Sequence, residues 1–522
     1  MKQTHGIAAA AGIMALGIFL SRVLGYVREM LLAYHFGASP VTDAFYAAFQ
    51  VPDLLNYFLA GGALSIAFIP LYNKTLAREG EQAAEDMMAA VLGTLGVIAI
   101  VATAILMWQT PFLTRLQFPA FDDATTAMTI DLTRIVLPAQ IFFLTGGIVQ
   151  AVLLARKHFI AAAFAPLVYN ICIIAGGVLL HSCCGIFGFA YGTLLGAALG
   201  PFLVPVLFAR GHIPLKARFA PFDKRFLVYL VLALPLMLGQ TLLTLDEWYG
   251  KWFGALLPAG TVAYISYARR LMQVPVAIAG QAVAAAALPT LSKLWAEGKA
   301  EEMNRAMTDT LCVSLSMAVI LGAGICALAV PGIAFVYQHG AFTAEDTAAV
   351  AALVAVFAFA VPGWVVQQIA VRGFYARGDT WRPMVLGTVV SLGLIPLYLW
   401  LARLLSAEGI ALAGVIGMTL NAGATILLAR HMHRAPMALA LAVAFGRAVL
   451  TAMPAGIAAW GTVYLRTAYL PLESLHVKWG ALLDLALGGS VFLVVVSALT
   501  LKAGDARLKG FLQKKIMRFK GM

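Results

Sequence analysis

The feature that most constrains this chain is a series of long apolar runs that follow one another along nearly its whole length. Most runs reach or exceed the roughly 20 residues that an α-helix needs to cross a bilayer core of about 30 Å. With 62% of its residues apolar and 11% charged, against roughly 25% charged in soluble proteins, the sequence predicts an all-α polytopic membrane protein. We expect about fourteen transmembrane helices and no separate soluble catalytic domain. The predicted spans are 6–34, 42–70, 86–108, 129–154, 160–180, 186–208, 226–254, 260–290, 308–335, 346–374, 384–403, 409–429, 441–465 and 478–501.

Lysine and arginine residues are concentrated in alternate connections between these spans. They lie at 74–78, 156–157, 210–225, 293–299, 377–382 and 430–434 and in the tail 502–520, whereas 36–43, 181–185, 256–260 and 339–347 carry almost none. Basic residues remain on the cytoplasmic side of membrane spans. The pattern predicts that both termini are cytoplasmic, and it accounts for the net charge of +12 without a nucleic-acid partner.

The motifs of soluble enzymes do not occur in the sequence. It contains no GxxxxGK[ST], HExxH or GxSxG pattern, and its five cysteines have no metal-ligand spacing. The first apolar run continues past 20 residues without a small-residue cleavage site, so we interpret it as a retained helix and not as a signal peptide. We expect a transporter of the cytoplasmic membrane with no metal and no cofactor, and not an enzyme.

Segments about 220 residues apart resemble each other. The segment AGGALSIAFIPLYNKTLA at 60–77 aligns with AGQAVAAAALPTLSKLWA at 279–296, and LLARKHF answers FYARGDT. Because the offset spans six helices, the two halves share one orientation and form a parallel repeat. The repeat predicts an N-terminal lobe at 1–215, a C-terminal lobe at 216–435, two extra helices at 436–502 and a basic cytoplasmic tail at 503–522.

Several arginines lie within predicted spans, where a charge is costly and usually faces a water-filled cavity or a partner, and two pairs of them are candidates for a substrate site. Arg22 and Arg28 belong to span 1, and Arg269 and Arg270 belong to span 8. At 100° per residue, Ser21 shares a helical face with Arg28. The alternative is that such charges pair with each other or extend to the membrane surface. Since guanidinium groups bind phosphate in a planar fork, the arginines favour an anionic, phosphate-bearing substrate.

Five stretches of sequence identify a family by resemblance. They are SRVLGYVREMLLAYHFGASPVTDAFYAAFQVPDLL, AFIPLYNK, AYISYARRLMQVP with ALPTLSK, YQHGAFTAEDT and GFYARGDTWRP, in that order over roughly 20–385. Together they resemble the MurJ (MviN) family of lipid II flippases, within the multidrug/oligosaccharidyl-lipid/polysaccharide exporter superfamily. The resemblance implies two six-helix lobes around a cationic cavity, with two further helices forming a groove for a polyprenyl tail.

The resemblance also implies a function. Members export lipid II, an undecaprenyl-pyrophosphoryl disaccharide-pentapeptide, across the bacterial cytoplasmic membrane by alternating access. The expected partners are therefore this anionic lipid-linked substrate and membrane lipids, with a functional link to the cell-wall synthesis machinery. The family's functional positions fall on Ser21, Arg22, Arg28, Asp43 and Arg270. The arginines and Ser21 are expected to bind the diphosphate, and Asp43 is expected to act at the outer gate.

Four positions depart from the family pattern. Asn56 stands where relatives often carry arginine, and Gly61 replaces an acid. Arg269 and Gln273 stand where acids are expected. We expect Arg269 to add a positive charge to the substrate site and Asn56 to lie at the gate, where an arginine–carboxylate pair must be replaced by another contact.

Three other functions remain open on the sequence alone. A flippase for another polyprenyl-linked oligosaccharide, such as an O-antigen unit, would share the fold and the cationic cavity. A cation-coupled drug exporter should have acids dominating its cavity, which these arginines disfavour. A membrane-embedded glycosyl or phosphoryl transferase would need clustered acids, for which Asp122 and Asp123 are the only weak candidates.

Overall fold

Every ordered element of the described chain is a helix, which confirms the all-α prediction. The computed structural model describes residues 2–60, 67–211, 213–243, 245–433, 437–469 and 477–510. Contacts divide the chain into two compact units. The first unit comprises Met1–Trp248 and Pro258–Val262, and the second comprises Tyr249–Leu257 and Ala263–Met522.

The first unit contains twelve helices, several of which form consecutive parts of one predicted span. A π-helical turn, Ala198–Leu203, joins α10 to α11. The helices are α1 (Lys2–Phe36), α2 (Pro40–Ala48), α3 (Gln50–Ala60), α4 (Ile69–Glu79), α5 (Glu81–Gln117), α6 (Asp123–Val136), α7 (Ala139–Ala155), α8 (Ile160–Leu179), α9 (His181–Cys184), α10 (Phe187–Ala197), α11 (Val204–Ala209) and α12 (Lys224–Leu243).

The remaining helices belong wholly or mainly to the second unit. A second π-helical turn, Ala277–Gln281, follows Pro275 and joins α14 to α15. The helices are α13 (Leu245–Gly254), α14 (Thr261–Val276), α15 (Ala282–Ala296), α16 (Ala300–Ala327), α17 (Ala329–Tyr337), α18 (Ala344–Ala358), α19 (Val361–Tyr375), α20 (Trp381–Gly393), α21 (Ile395–His433), α22 (Met437–Tyr469) and α23 (Val477–Ala503).

Nine helical segments of the described chain are long and apolar enough to cross a membrane. The number is ten if α18 and α19, which are bent by 45° at a break just before Pro362 in the first turn of α19, form one span. One of the nine is Trp381–His433, whose 53 residues would extend about 80 Å as a single helix. Ser406 interrupts it with φ 51° and ψ −129°, between the predicted spans at 384–403 and 409–429. The count does not confirm the fourteen predicted spans, but it is consistent with them, since one segment covers two predicted spans.

The internal repeat is visible in the way α7 and α19 end. His158 N–H donates to Leu153 O at 2.8 Å, and Asp379 N–H donates to Phe374 O at 3.0 Å. The residue before each donor has a positive φ, which is 64° at Lys157 and 80° at Gly378. This is the arrangement by which a left-handed residue satisfies the last carbonyls of a helix, and it recurs at the offset of the sequence repeat.

The arginine at each of these helix ends makes related contacts. Arg156 Nε donates to Tyr72 Oη on α4 at 3.1 Å. Arg377 donates to Asn304 Oδ1 on α16 at 2.7 Å, and its guanidinium lies 5.2 Å from the ring centroid of Trp295 on α15. The sequence repeat pairs α4 with α15, so each arginine joins a related pair of helices within its own unit. The contact division assigns α12 to the first unit, and the lobe boundaries at 215 and 435 remain predictions from the sequence.

Candidate functional site

Two of the proposed substrate ligands lie on α1 against one polar residue of α8. Asn170 Nδ2 donates to Ser21 Oγ at 3.1 Å, and its Oδ1 accepts a long hydrogen bond from Arg28 Nη1 at 3.5 Å. Gly25 lies between Ser21 and Arg28 on α1, and a Cβ placed on it would be 4.0 Å from Asn170 Oδ1. Ser21, Gly25 and Arg28 therefore share the face of α1 that packs on α8.

Arg28 is also held by a buried carboxylate. Its Nη2 donates to Glu29 Oε1 at 2.7 Å, and the hydroxyl of Tyr46 on α2 donates to Glu29 Oε2 at 2.6 Å. Glu29 is 2% exposed, whereas the Arg28 side chain is 20% exposed. A buried carboxylate is tolerated only with such partners, so Glu29 fixes the guanidinium while leaving part of it accessible.

The sequence identified Ser21 and Arg28 but not the residues that orient them. Asn170 is an isolated amide inside the apolar run 160–180, and that isolation was the available signal, because a polar group in a span needs a partner. Tyr46 gave no comparable signal. Arg22 follows Ser21 on α1 and is exposed.

Asp43 lies in the first turn of α2 and is buried, with 3% exposure. Ser39 caps this helix by accepting from Thr42 N–H, and Pro40 occupies its first position. Asp43 Oδ2 accepts a hydrogen bond of 2.6 Å from the backbone N–H of Gly260. A carboxylate at a helix N-terminus is favoured by the helix dipole, so the side chain is stabilised from both sides.

Gly260 can occupy this position only because it has no side chain. Its φ is +90°, and a Cβ would lie 2.9 Å from Ala38 O. The segment Pro258–Val262 thereby approaches the start of α2 within the first unit. Asn56 lies farther along the same predicted span, on α3, and is half-buried; Gly61 lies outside the described residues.

The arginines of the second unit lie side by side on α14. Arg269 and Arg270 are both half-buried, and the Arg269 guanidinium lies 5.4 Å from the ring centroid of Trp364 on α19. A cation–π contact of this kind holds the charge in place and contributes about 0.5–2 kcal/mol. Gln273, one turn on, is exposed.

A hydrogen-bonded pair that the sequence did not indicate fixes the start of α14. Tyr264 Oη donates to Asp346 Oδ1 at 2.8 Å. Asp346 belongs to the capping box of α18, in which its Oδ2 accepts from Thr343 N–H at 2.8 Å. The YQHGAFTAEDT stretch thus positions the helix that carries Arg269 and Arg270.

Curated relatives are similar to the chain over most of its length. A probable lipid II flippase MurJ of Rhizobium tropici is 29% identical over 429 residues, covering 77% of each chain. A lipid II flippase MurJ of Burkholderia cenocepacia is 30% identical over 418 residues, covering 77% of this chain and 78% of the relative.

Solved structures share the fold at lower identity. A lipid II flippase MurJ in an inward closed conformation matches with a TM-score of 0.76 and 22% identity, covering 93% of this chain and 98% of that one. An inward-facing multidrug resistance MATE family transporter of the MOP superfamily matches with a TM-score of 0.68 and 15% identity, covering 79% and 95%. Both likenesses concern the fold alone.

A family model described as lipid II flippase MurJ matches residues 32–479, which is most of the 522 residues and includes Asp43, Arg269 and Arg270. The chain therefore belongs to the lipid II flippase MurJ family.

Proposed function

We propose that this protein translocates lipid II from the inner to the outer leaflet of the bacterial cytoplasmic membrane, as a transporter without an enzymatic step. The observation that carries the proposal is the family match over 32–479. It is supported by arginines placed on membrane helices, where a permanent charge is retained for a partner or a substrate.

The proposed ligands of the pyrophosphate are Ser21, Arg22, Arg28, Arg269 and Arg270. Arg28 supports this role best, because its side chain is 20% exposed and its contact with Asn170 is long, at 3.5 Å. A pyrophosphate brings several acceptor oxygens and more negative charge than Glu29, so it can compete for the same guanidinium. The Arg269 guanidinium lies over the ring of Trp364, a cation–π contact that holds the group in place.

Asp43 and Asn56 are the proposed gating residues. The hydrogen bond that Gly260 N–H donates to Asp43 can form and break, which is what a gate between two states requires. In this proposal the contact is made when the outer side is closed and is absent when lipid II is released. Asn56 would line the same passage, with a neutral amide in place of a guanidinium.

The proposed setting follows the sequence analysis. Both termini lie in the cytoplasm, lobes at 1–215 and 216–435 alternate in access, and the helices α22 and α23 provide a groove for the polyprenyl tail. Exposed apolar side chains support this role for α22 and α23, among them Leu439 at 78% and Val494 at 68%, since an undecaprenyl chain needs an apolar surface.

Complementation separates lipid II from other polyprenyl-linked glycans. Expressed in cells depleted of their own lipid II flippase, the protein should restore growth, and expressed in cells lacking an O-antigen flippase it should not restore the O-antigen. The opposite pair of outcomes would favour the second polyprenyl-linked substrate. Drug resistance conferred without either rescue would favour the exporter that the MATE-like fold permits.

A further inference from the structure

The connector between α11 and α12 combines exposed aromatic and basic side chains. Phe222 is 89% exposed and Phe219 is 60% exposed. Lys216, Arg218 and Lys224 are exposed around them. Phe222 is the most exposed large apolar side chain among the residues described in this way. In water such a pair of rings would be costly, so their position calls for an apolar surface.

The connector is held against α5 by its backbone. Arg218 N–H donates to Ala89 O at 2.9 Å, and Ala220 N–H donates to Thr94 Oγ1 at 3.1 Å. Gly93 allows this approach, because a Cβ there would lie 2.4 Å from Arg218 O. The non-helical backbone is therefore fixed on α5 through two of its amides, and the two phenylalanine rings remain exposed.

The contact lies at the depth of a lipid–water interface. The acids of α5 end at Asp86, and the apolar run from Met87 to Trp108 extends about 33 Å, the thickness of a bilayer core. Ala89 lies about 3 Å inside this run and Thr94 about 10 Å inside it. Interfacial elements bury their apolar side chains about 5–10 Å into the boundary between headgroups and acyl chains.

From this arrangement we infer that the connector and the start of α12, residues 213–225, bind anionic phospholipid at the membrane surface. Phe219 and Phe222 enter the acyl boundary, while Lys216, Arg218 and Lys224 contact headgroup phosphates. Arg218 also pairs with Asp223 at 2.7 Å, which turns its side chain along the connector and leaves it 54% exposed. The ligand class is a phospholipid with a net negative headgroup, distinct from the transported lipid.

The position of Phe222 can be measured in the full chain. A nitroxide on Phe222→Cys, with the five native cysteines changed to serine and the protein in nanodiscs, should collide more with oxygen than with a water-soluble nickel chelate. The matched control is Lys299→Cys, in another connection rich in lysine. A label at this position should collide more with the nickel chelate than with oxygen. If the labels at both positions collide more with the chelate than with oxygen, and to the same degree, the inference that Phe222 inserts into the membrane is wrong.

Headgroup recognition is tested by lipid composition. Adding phosphatidylglycerol to zwitterionic nanodiscs should deepen and immobilise the label at 222. One basic residue near an anionic surface contributes roughly fivefold in affinity. The fraction of phosphatidylglycerol that gives half of the maximal response should therefore rise severalfold for each of Lys216→Gln, Arg218→Gln and Lys224→Gln. Gly93→Ala, which leaves the connector's sequence intact, should also weaken the response by displacing the backbone.

Two outcomes would contradict the headgroup site. The first is a label that ignores phosphatidylglycerol, or that responds only to added polyprenyl pyrophosphate, which would assign the connector to the transported lipid. The second is an equal loss in the control variant Lys293→Gln with Arg305→Gln, which removes two exposed charges elsewhere on the chain. That result would mean that only total charge matters.

Discussion

At the scale of single residues, the balance between Arg28 and Glu29 is central to the proposed site. Glu29 is buried and accepts from both Arg28 and Tyr46, so removing the arginine would leave a carboxylate short of a partner. Breaking a buried pair on one side costs about 3–5 kcal/mol. An alanine variant would therefore mix loss of binding with loss of folding, and a conservative variant gives a clearer result.

Arg28→Lys should reach the membrane at normal abundance and transport poorly. The ammonium group still neutralises Glu29 but cannot form the planar fork that binds phosphate. Loss of a charge-assisted hydrogen bond worth about 1.5–3 kcal/mol should lower substrate affinity roughly tenfold to more than a hundredfold. The measurement is lipid II translocation per molecule of protein in the membrane. Full transport by Arg28→Lys would mean that the fork is not used, and reduced abundance would indicate a structural role.

The residues of this cluster differ in how far the sequence could predict them. Arg28 could be predicted because a charge in an apolar run is informative wherever the helix packs. The isolation of Asn170 in an apolar run indicates that it needs a partner, but its partners, like the role of Tyr46, depend on α8 and α2 lying against the same part of α1. Only the packing of helices distant in sequence supplies that information.

At the scale of elements, the start of α2 depends on the close approach of Gly260. Gly260→Ala should displace the Pro258–Val262 segment, because the new Cβ would lie 2.9 Å from Ala38 O. The bond to Asp43 should then weaken, and a cysteine at Ala38 should react faster with a water-soluble maleimide.

A second glycine provides the control for backbone strain. Gly211 has a φ of +79° and open space around it, so Gly211→Ala carries a similar left-handed cost of about 1–2 kcal/mol without a clash. It should leave the reactivity at position 38 unchanged. Equal effects of the two variants would show that the close approach to Ala38 is unimportant.

The repeated arginine at the ends of α7 and α19 is expected to stabilise its own unit. Arg377→Ala removes the hydrogen bond to Asn304 and the cation–π contact with Trp295, a loss of about 1.5–3 kcal/mol. It should lower the apparent melting temperature in detergent without changing transport per folded molecule. Arg382→Ala, which removes an exposed pair with Asp379 worth about 0–1 kcal/mol, is the control. Equal shifts in the two variants would argue against the role of Arg377.

The helices were easier to predict than their interruptions. Apolar runs locate α8, α22 and α23 to within a few residues, whereas α5 extends beyond its predicted span at both ends. Burial in lipid requires an unbroken apolar segment, which a sequence shows directly. The break at Ser406 could not be located within its connection, since serine gives no strong signal for φ 51°. The π-helical turn before α15 follows Pro275, and a proline within a span predicts a kink but not its π-helical form.

At the scale of the whole molecule, the orientation in the membrane still rests on the distribution of basic residues. Cysteines at Ala259 and Ala344 should be labelled from outside intact cells, and cysteines at Ala77 and Ala296 should not. All four positions are exposed and lie at helix ends or in turns. Alanines are preferred to the nearby glycines because those glycines have a positive φ, at which a cysteine would strain the backbone. External labelling of Ala77 and Ala296 would reverse the topology.

The fold, the family and the substrate of this protein are supported by different observations. Hydropathy predicted the fold class, and the aligned segments LLARKHF and FYARGDT fall at the related ends of α7 and α19. The substrate could not be derived from the arginines alone, because any phosphate-bearing lipid would suit them. The extended motif at 21–55 narrowed the choice to one family.

The central claim is that the protein moves lipid II across the bilayer, and translocation itself is its most direct test. In cells depleted of their own flippase, lipid II in the outer leaflet can be counted by cleavage with a membrane-impermeant phosphodiesterase. Induction of this protein should restore the cleaved fraction, and induction of Arg270→Ala at equal abundance should not. If the cleaved fraction stays at the depleted level while the intact protein is present in the membrane, the claim is wrong.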